Sequence, residues 1–213
     1  MNIEKCHFCK YEVEALGHVI TNRGLLPVEK KVEAINNMDI PTNITELHSF
    51  LGMVGYYRNF INNYASISAP LCKLLRKNTS FKWTQKQINS FNKLKETLCS
   101  APILSYPRFD KPFIIRSDAS FQGIGGVLLQ LLVDNIEYPI CYVSRSLKKS
   151  ECNYPIIELE GTAAVYCVNE FKPYILGNPY KTILYTDHQP LVPIITTGEP
   201  NTNKHARWCN LFS

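Results

Sequence analysis

The sequence lacks any apolar run that could cross a membrane. A membrane-spanning helix needs about 20 apolar residues, whereas the longest run, residues 123–133, is about half that length and contains Gln130. The N-terminal MNIEKCH has no apolar core of the kind found in a signal peptide. Charged residues make up only 19%, and Gly and Pro are not abundant enough for a disordered or collagen-like chain. We therefore expect a soluble, intracellular protein of one large or two small domains.

The sequence also lacks a recognisable zinc site. Of its eight cysteines only Cys6 and Cys9 form a C-x-x-C pair, and no second ligand pair accompanies them, although His7 and His18 are near. Zinc is therefore not predicted. Most other cysteines lie in apolar patterns, where they behave as small hydrophobic residues. We expect free thiols in a reducing compartment.

Positive charge is in modest excess and is concentrated in one segment. The net charge is +5, which is compatible with nucleic-acid binding but does not demonstrate it. Residues 72–95 contain no acid, and their aromatic residues alternate with cations (Lys73, Arg76, Lys77, Phe81, Lys82, Trp83, Lys86, Phe91, Lys93, Lys95). This pattern suits a polyanion with flat bases. The alternative is a solvated helix face with a few aromatic residues in the core.

Strand patterns and then helical patterns fill the first half of the sequence. Residues 1–26 predict short strands, with an apolar run over 12–20 that ends at a turn at 21–24. A helix is predicted from Pro27 to Pro41. Two further helices are predicted from their N-terminal pairs, Asn43 with Glu46 and Thr84 with Gln87. Their apolar stripes are Ile44, Leu47, Leu51, Val54 and Ile61, and Ile88, Phe91, Leu94 and Leu98.

A proline-spaced segment then predicts a domain boundary near residue 106. Beyond it the pattern predicts strands over 113–117, 124–132 and 138–144, a helix over about 158–176, a strand over 182–186 and a short helix near Gln189. The predicted fold class is α/β, or α+β overall: a helical segment followed by a mixed sheet with packed helices.

Two of these strands run directly into an aspartate, Asp118 and Asp187. Functional groups gather at the carboxyl ends of strands in open α/β sheets. The helix between them supplies Glu160, which lies four and seven residues before the apolar Ala164 and Cys167 and therefore on the face that packs on the sheet. Glu158 lies about 200° around the helix and fits a charge at the helix start.

Three carboxylates without a His or Cys partner are typical of a hard-cation site that binds Mg²⁺ or Mn²⁺. Such ions activate water and neutralise a phosphodiester transition state. The alternative is three unrelated surface acids.

At these residues the sequence resembles the Pol polyproteins of long-terminal-repeat retrotransposons of the Ty3/gypsy group. The resemblance covers nearly the whole chain, and its motifs occur in the family's order: FLGMVGYYRNFI (50–61), PLCKLL (70–75), FKWT (81–84), FNKLK (91–95), SDAS (117–120) with GIGGVL (123–128), and YTDHQPL (185–191).

The resemblance implies three regions. Residues 1–26 would be the end of the reverse-transcriptase palm, with the primer-gripping hairpin. Residues 27–105 would be the thumb and connection helices, and residues 106–213 a ribonuclease H-like domain. The expected partners are an RNA–DNA hybrid or primer–template duplex and other Pol segments (palm, fingers, integrase), not a membrane. The expected location is a cytoplasmic virus-like particle or the nucleus.

The resemblance also implies a function and site residues. The family's metal-binding acids fall on Asp118, Glu160 and Asp187, which would hold two Mg²⁺ or Mn²⁺ ions for hydrolysis of the RNA strand of a hybrid. Nucleic-acid contacts are implied at Gly17, His18, Tyr57, Arg58, Lys73, Ser120 and Gln189. For Gln189, a structural role in the loop is an alternative.

The sequence departs from the family pattern in two respects. Residues 154–159 (YPIIEL) replace a polar, Ser/Thr-rich run before Glu160. The chain also begins after the expected aspartate pair of the polymerase and ends before the expected last strand and fourth acid of the nuclease. We therefore expect no polymerase activity and weak or absent cleavage from these residues alone. The alternatives are a non-catalytic nucleic-acid-binding remnant and a pseudogene product without a stable fold.

Overall fold

The structure, a computed structural model, describes residues 10–132, 136–196 and 202–212. The pair Cys6 and Cys9, with His7, lies outside these residues. None of the helices in the described ranges is long and apolar enough to span a membrane.

A small antiparallel sheet opens the described chain, with strands β1 (Glu12–Ala15), β2 (His18–Thr21) and β3 (Gly24–Pro27) in that order. The apolar run over 12–20 therefore does not continue as one strand. It is divided by a two-residue turn at Leu16 and Gly17, whose φ angles are 48° and 72°. Positive φ at both central residues matches the twist of a tight hairpin.

Four helices follow: α1 (Glu29–Asn36), α2 (Ile44–Tyr56), α3 (Tyr64–Leu74) and α4 (Gln85–Cys99). Both predicted N-caps are confirmed, since the Glu46 N–H donates to Asn43 Oδ1 at 2.9 Å and the Thr84 N–H donates to Gln87 Oε1 at 3.1 Å. The stripe predicted for α2 is wrong at its two ends, because Ile44 is 47% exposed and Ile61 lies beyond the helix. Helix α3 was not predicted, and it contains Pro70.

The aromatic residues of the basic segment belong to the core of this helical unit. The Phe50 and Phe91 rings lie 4.5 Å apart between centroids, and Trp83 meets Phe91 edge-on at 5.9 Å. Phe91 is 2% exposed. Stacking on bases is therefore excluded for Phe91, whereas binding of a polyanion by the cations of this segment stays a prediction. The cations Lys73, Arg76, Lys77, Lys82 and Lys86 are exposed.

A second sheet follows the prolines. Its strands are β4 (Ile114–Ala119), β5 (Gly123–Leu131), β6 (Glu137–Ser146) and β7 (Ile183–Tyr185), in the order β6-β5-β4-β7. Only the β4–β7 pair is parallel. Helix α5 (Ile156–Ile175) connects β6 to β7, and α6 (Leu191–Thr196) and the unpredicted α7 (Asn203–Phe212) end the described chain. The predicted mixed sheet with packed helices is confirmed. The domain boundary at 106 falls between α4 and β4 and stays a prediction.

Two consecutive glycines of β5 show what covers the two faces of this sheet. A Cβ on Gly126 would lie 2.6 Å from Cys167 Sγ of α5, whereas a Cβ on Gly125 would lie 3.3 Å from Asn63 Oδ1 at the start of α3. Successive strand residues point to opposite faces. Helix α5 therefore packs on one face, and the start of α3 packs on the other.

We expect Gly126→Ala to destabilise the chain by about 2 kcal/mol or more, because overpacking a close contact costs roughly 1–3 kcal/mol. The new Cβ would lie 2.4 Å from the Arg116 carbonyl oxygen and 2.6 Å from Cys167 Sγ. Urea unfolding followed by circular dichroism measures the change. Gly52→Ala is the matched control, since nothing lies within 4 Å of its Cβ position and helix propensity favours alanine by up to about 1 kcal/mol. Equal stability of the Gly126 variant and the wild type would contradict the close packing of α5.

Candidate functional site

Asp118 and Asp187 lie at the same end of the second sheet. The parallel register pairs Ile114 with Ile183 and Arg116 with Tyr185. Asp118 and Asp187 follow these last pairs by two residues, so they lie at the same end of the sheet. Both aspartates are exposed. The prediction that the two strand-end acids share one edge of the sheet is thus confirmed.

Glu160 lies in the first two turns of α5 and is buried against the sheet, with 5% of its surface exposed. It shares this face with the fully buried Ala164 and Cys167, as helical spacing predicted. The backbone of Ala119 lies close enough to its carboxylate to lower the pKa of the carboxyl group, against the larger effect of burial. Its Oε2 atom is buried and has no hydrogen-bond partner among the described residues. One oxygen of this carboxylate is thus available to a cationic ligand.

The electrostatics of Glu160 reflect its burial and the charges of the two aspartates. Burial raises the pKa of its carboxyl group to about 7, and the negative charges of Asp187 and Asp118 contribute to this rise. The ionised form of Glu160 is therefore disfavoured near neutral pH unless positive charge is supplied at the site.

Glu158 has a different environment, as its position around the helix predicted. Its Oε2 accepts a hydrogen bond from Lys204 Nζ of α7 at 2.9 Å, so it forms an ion pair rather than facing the sheet. Next to it, the Trp208 ring fills the space over Gly161, where a Cβ would lie 2.2 Å from a ring carbon. Helix α7 therefore packs directly on the turn that carries Glu160. No periodic pattern in the sequence indicates this contact.

The donor set fits a hard cation, but the ligands are not drawn together. Within residues 10–132, 136–196 and 202–212, no three His, Cys, Asp or Glu side chains are placed to hold one metal ion. The backbone geometry explains this, because Asp118 is paired with Gly125 and so points to the α3 face, whereas Glu160 packs against the opposite face. The chemistry of three carboxylates and the partnerless oxygen of Glu160 nevertheless match a divalent ion.

The predicted nucleic-acid contacts near the hairpin form a supported turn. The Tyr57 hydroxyl donates to the Gly17 carbonyl oxygen at 2.7 Å, and the Tyr56 hydroxyl donates to the carbonyl of Leu16. The His18 ring stacks on Phe60 at 5.7 Å. Tyr57 is only 2% exposed, so it holds the turn rather than presenting its ring to a ligand, whereas Leu16 at the tip is 90% exposed.

The other predicted contacts are dispersed. Arg58, Lys73 and Gln189 are exposed, and the structure does not bring them to the carboxylates as one cluster. Ser120 lies two residues after Asp118, and its hydroxyl donates to the Gly123 carbonyl oxygen at 3.1 Å, which fixes the β4–β5 turn. The roles assigned to these residues stay predictions.

Sequence reasoning missed one residue at the carboxylates. Asn63 donates a hydrogen bond from Nδ2 to Asp118 Oδ2 at 2.9 Å, across a separation of 55 positions in the chain. No local pattern signals a contact of this kind, because it arises only when α3 packs on the second sheet.

Comparison with known sequences places this site in context. The family described as "RNase H-like domain found in reverse transcriptase" matches residues 83–182. The chain is 40% identical over 220 residues to the retrovirus-related Pol polyprotein from transposon opus of Drosophila melanogaster, covering 98% of this chain and 22% of that protein. It is 32% identical over 211 residues to the transposon Tf2-3 polyprotein of Schizosaccharomyces pombe, covering 98% of this chain and 16% of that protein. The chain thus spans about a fifth of these relatives.

Solved structures share the fold. A structure of the foamy viral protease-reverse transcriptase in complex with RNA/DNA hybrid matches 99% of this chain and 28% of its own, with a TM-score of 0.74 and 22% identity. A second, of the foamy viral protease-reverse transcriptase dRH with double-stranded DNA, matches 94% of this chain and 36% of its own, with a TM-score of 0.74 and 21% identity. The described fold is therefore ribonuclease H-like, preceded by helices.

We expect Glu160→Gln to stabilise the metal-free chain at pH 8 and not at pH 5. The folded-state pKa of about 7 lies above the ordinary value of 4.5 for a glutamate, so the folded state binds more protons between these values and stability falls as the pH rises from one value to the other. The variant removes this penalty, which is on the order of 2–3 kcal/mol above pH 7. Urea unfolding in chelator at both pH values measures it. Glu158→Gln is the control, and its free energy of unfolding should not rise at pH 8 alone. An equal rise in the free energy of unfolding of Glu160→Gln at pH 5 and at pH 8 would contradict the argument.

Proposed function

This chain belongs to the family of retrotransposon Pol polyproteins of the Ty3/gypsy type, and we propose that it hydrolyses the RNA strand of RNA–DNA hybrids. The observation that carries the proposal is the placement of Asp118, Glu160 and Asp187 at one end of a ribonuclease H-like sheet. A buried carboxylate oxygen of Glu160 without a partner marks where positive charge is needed.

Asp118, Glu160 and Asp187 are the residues that would hold divalent cations, two Mg²⁺ or Mn²⁺ ions by analogy with the family. When bound, such ions supply the charge that activates water and neutralises the developing charge on a phosphodiester. Glu160 serves as a ligand only after its carboxyl proton has left. Because the pKa of this group is about 7, we expect ligand binding to improve as pH rises through neutrality.

Binding of the hybrid would rest on surfaces outside the carboxylates. The exposed cations of the 72–95 segment would contact phosphates. The tip of the β1–β2 hairpin would contact a primer–template duplex, because Leu16 is exposed there and its carbonyl is held by Tyr56. The foamy viral protease-reverse transcriptases of the same fold were solved with RNA/DNA hybrid and with double-stranded DNA, which supports nucleic acid as the ligand class. RNA would be distinguished from DNA by its 2′-hydroxyl groups across a wide minor groove.

A second candidate function is nucleic-acid binding without catalysis. It is favoured by one observation, that no three potential ligands in the described part of the chain are close enough to hold an ion together. Under this proposal the sheet is a scaffold for the cationic helical unit.

In the whole Pol proteins, of which this chain spans about a fifth, we propose that other Pol segments are partners and that the protein acts inside the cell.

We expect RNA–DNA hybrid to be cleaved slowly by the purified chain in Mn²⁺ or Mg²⁺, and Asp118→Asn to abolish the cleavage because a ligand carboxylate is lost. Gel analysis of labelled RNA strand measures the rate. The products should carry a 3′-hydroxyl and a 5′-phosphate.

Asp110→Asn is the control for loss of an acid before β4, since Asp110 forms an exposed ion pair with Arg108 Nη2 at 2.9 Å, away from the carboxylates. It should cleave at the wild-type rate. Cleavage that survives Asp118→Asn would contradict the proposed site, and tight hybrid binding with no cleavage in either metal would favour the second candidate.

We expect Lys73→Ala to weaken binding of the hybrid to a similar degree whatever the base sequence of the hybrid. The slope of log K for binding against log[salt] should become smaller by about 0.9, because each neutralised phosphate of a duplex contributes that amount. Fluorescence anisotropy between 50 and 200 mM salt, roughly the range over which phosphate contacts are lost, measures the slope. Lys95→Ala is the control, since Lys95 Nζ donates to the Met38 carbonyl oxygen at 2.8 Å and lies 4.9 Å from the Phe91 ring. Equal slopes for wild type and Lys73→Ala would exclude Lys73 from the interface.

A further inference from the structure

Strand β6 is an edge strand whose outer side is open along most of its length. In the order β6-β5-β4-β7 it has a neighbouring strand on one side only. The start of its outer side is covered, because the Ser105 N–H donates to the Pro139 carbonyl oxygen at 2.8 Å. Among the described residues, no other backbone hydrogen bond joins β6 to a segment outside the sheet. An open edge presents N–H and C=O groups with which a further chain can pair.

A cleft of about 550 Å³ follows this open edge. All of residues 141–145 of β6 line it. The side chains of these residues lie on both faces of the sheet, since Val143 packs in the core under α5, whereas Ser144 Oγ accepts a hydrogen bond from the Ala65 N–H of α3. Successive strand residues point to opposite faces. A cleft lined by all five residues therefore runs around the edge of the strand rather than over one face.

The cleft has a wall on each face of the sheet, and the two walls carry opposite charges. The short 3₁₀ helix Arg58–Phe60 before α3 contributes Arg58 to one wall, and α5 contributes Glu170 to the other. Both side chains are exposed, and neither forms an ion pair within the described part of the chain. Arg145 does not cross the edge, because its guanidinium donates to both carboxylate oxygens of Glu151 at 2.7 and 2.8 Å.

This arrangement favours a polypeptide as the occupant. A phosphate backbone is negative throughout, so Glu170 would repel it. The side chains of an added strand alternate between the two faces, so an acid facing Arg58 and a base facing Glu170 can be neighbours in its sequence. Because walls flank β6 on both faces, the cleft admits one polypeptide strand but not the edge of a second sheet with its own packed helices.

We propose that the edge of β6 at residues 141–145 binds an extended polypeptide segment, which adds to the sheet as a further strand and carries an acidic side chain beside a basic one. Backbone hydrogen bonds would supply the affinity, and the two charged walls the specificity, as in other cases of strand addition. Ser105 already forms the first backbone bond on this side, so the segment would extend an edge contact that the chain itself begins. The edge lies opposite β7 in the sheet, and the inference does not rest on hydrolysis of a hybrid.

The probe is a fluorescein-labelled peptide of about eight residues, a usual strand length, with Thr and Val alternating around a central Glu-Lys pair. Fluorescence anisotropy measures its binding to the whole chain. Two further peptides carry backbone N-methyl groups on either the odd or the even residues. Because alternate residues of a strand direct their N–H groups to one side, only one of these peptides should lose affinity. We expect a loss of about tenfold or more, since several backbone hydrogen bonds are removed.

The charge on one wall is tested with Arg58→Gln. This variant should bind the Glu-Lys peptide about threefold more weakly, as expected for an exposed ion pair. A peptide with Gln in place of Glu should bind the variant and the wild type equally. Arg23→Gln is the matched control, since Arg23 is exposed in the β2–β3 turn and does not line the cleft. It should bind the Glu-Lys peptide as the wild type does.

Amide hydrogen exchange locates the contact. Outward-facing amides within residues 141–145 should exchange more slowly when the peptide is bound, whereas those of the central strand β4 should not change. No binding of the Glu-Lys peptide, or equal binding of all three peptides, would overturn the proposal. Protection of the same amides by RNA–DNA hybrid, or by self-association of the chain without peptide, would assign the edge to those occupants and would also overturn it. None of these measurements depends on cleavage, so the proposed function is tested separately.

Discussion

The contact of α5 with the β4–β5 pair is the constraint on which the arrangement of the acids depends. It requires a glycine at position 126, because the Cys167 thiol occupies the space where a Cβ would lie. This close approach buries Ala164 and Cys167 completely and carries Glu160 to the end of β4. A carboxylate in such a place is costly, since burial and two neighbouring aspartates oppose its ionisation. Natural proteins retain costly acids of this kind mainly at functional sites.

The helical unit and the second sheet are joined by specific polar contacts as well as by packing. Leu25 and Leu104 exchange backbone hydrogen bonds of 2.8 and 3.0 Å, which tie the first sheet to the segment before β4. At the other side, the start of α3 contacts Asp118, Ser120 and Ser144. The segment from Tyr56 to Ser66 therefore touches both the hairpin turn and the carboxylate end of the sheet.

Local signals in the sequence were reliable where a single element decided the outcome. The caps at Asn43 and Thr84 depend on side chains three residues away, and the face occupied by Glu160 depends only on helical period. Signals failed where packing decided. Phe91 had two interpretations: helical spacing placed it in the apolar stripe of α4, and its position among cations suggested base stacking. The structure confirms the first, because Phe91 is buried against Phe50 of α2. Helix α3, which contains Pro70, was not predicted, and its first turn is held by Ser144 from another strand.

The sequence by itself determined the order of the strands β4 to β7 with helix α5, and which three acids are candidates, because periodicity and strand-end positions are local properties of the chain. Its motifs determined the family. Only the tertiary structure decided how these acids are placed. The parallel register of β4 with β7 brings Asp118 and Asp187 to the same end of the sheet. The alternation of side chains along β4 directs Asp118, which is paired with Gly125, towards α3 rather than α5. The amide of Asn63 meets Asp118 across 55 positions only because two separate units pack together. Contacts of that range depend on the packing of whole elements, which no local pattern encodes.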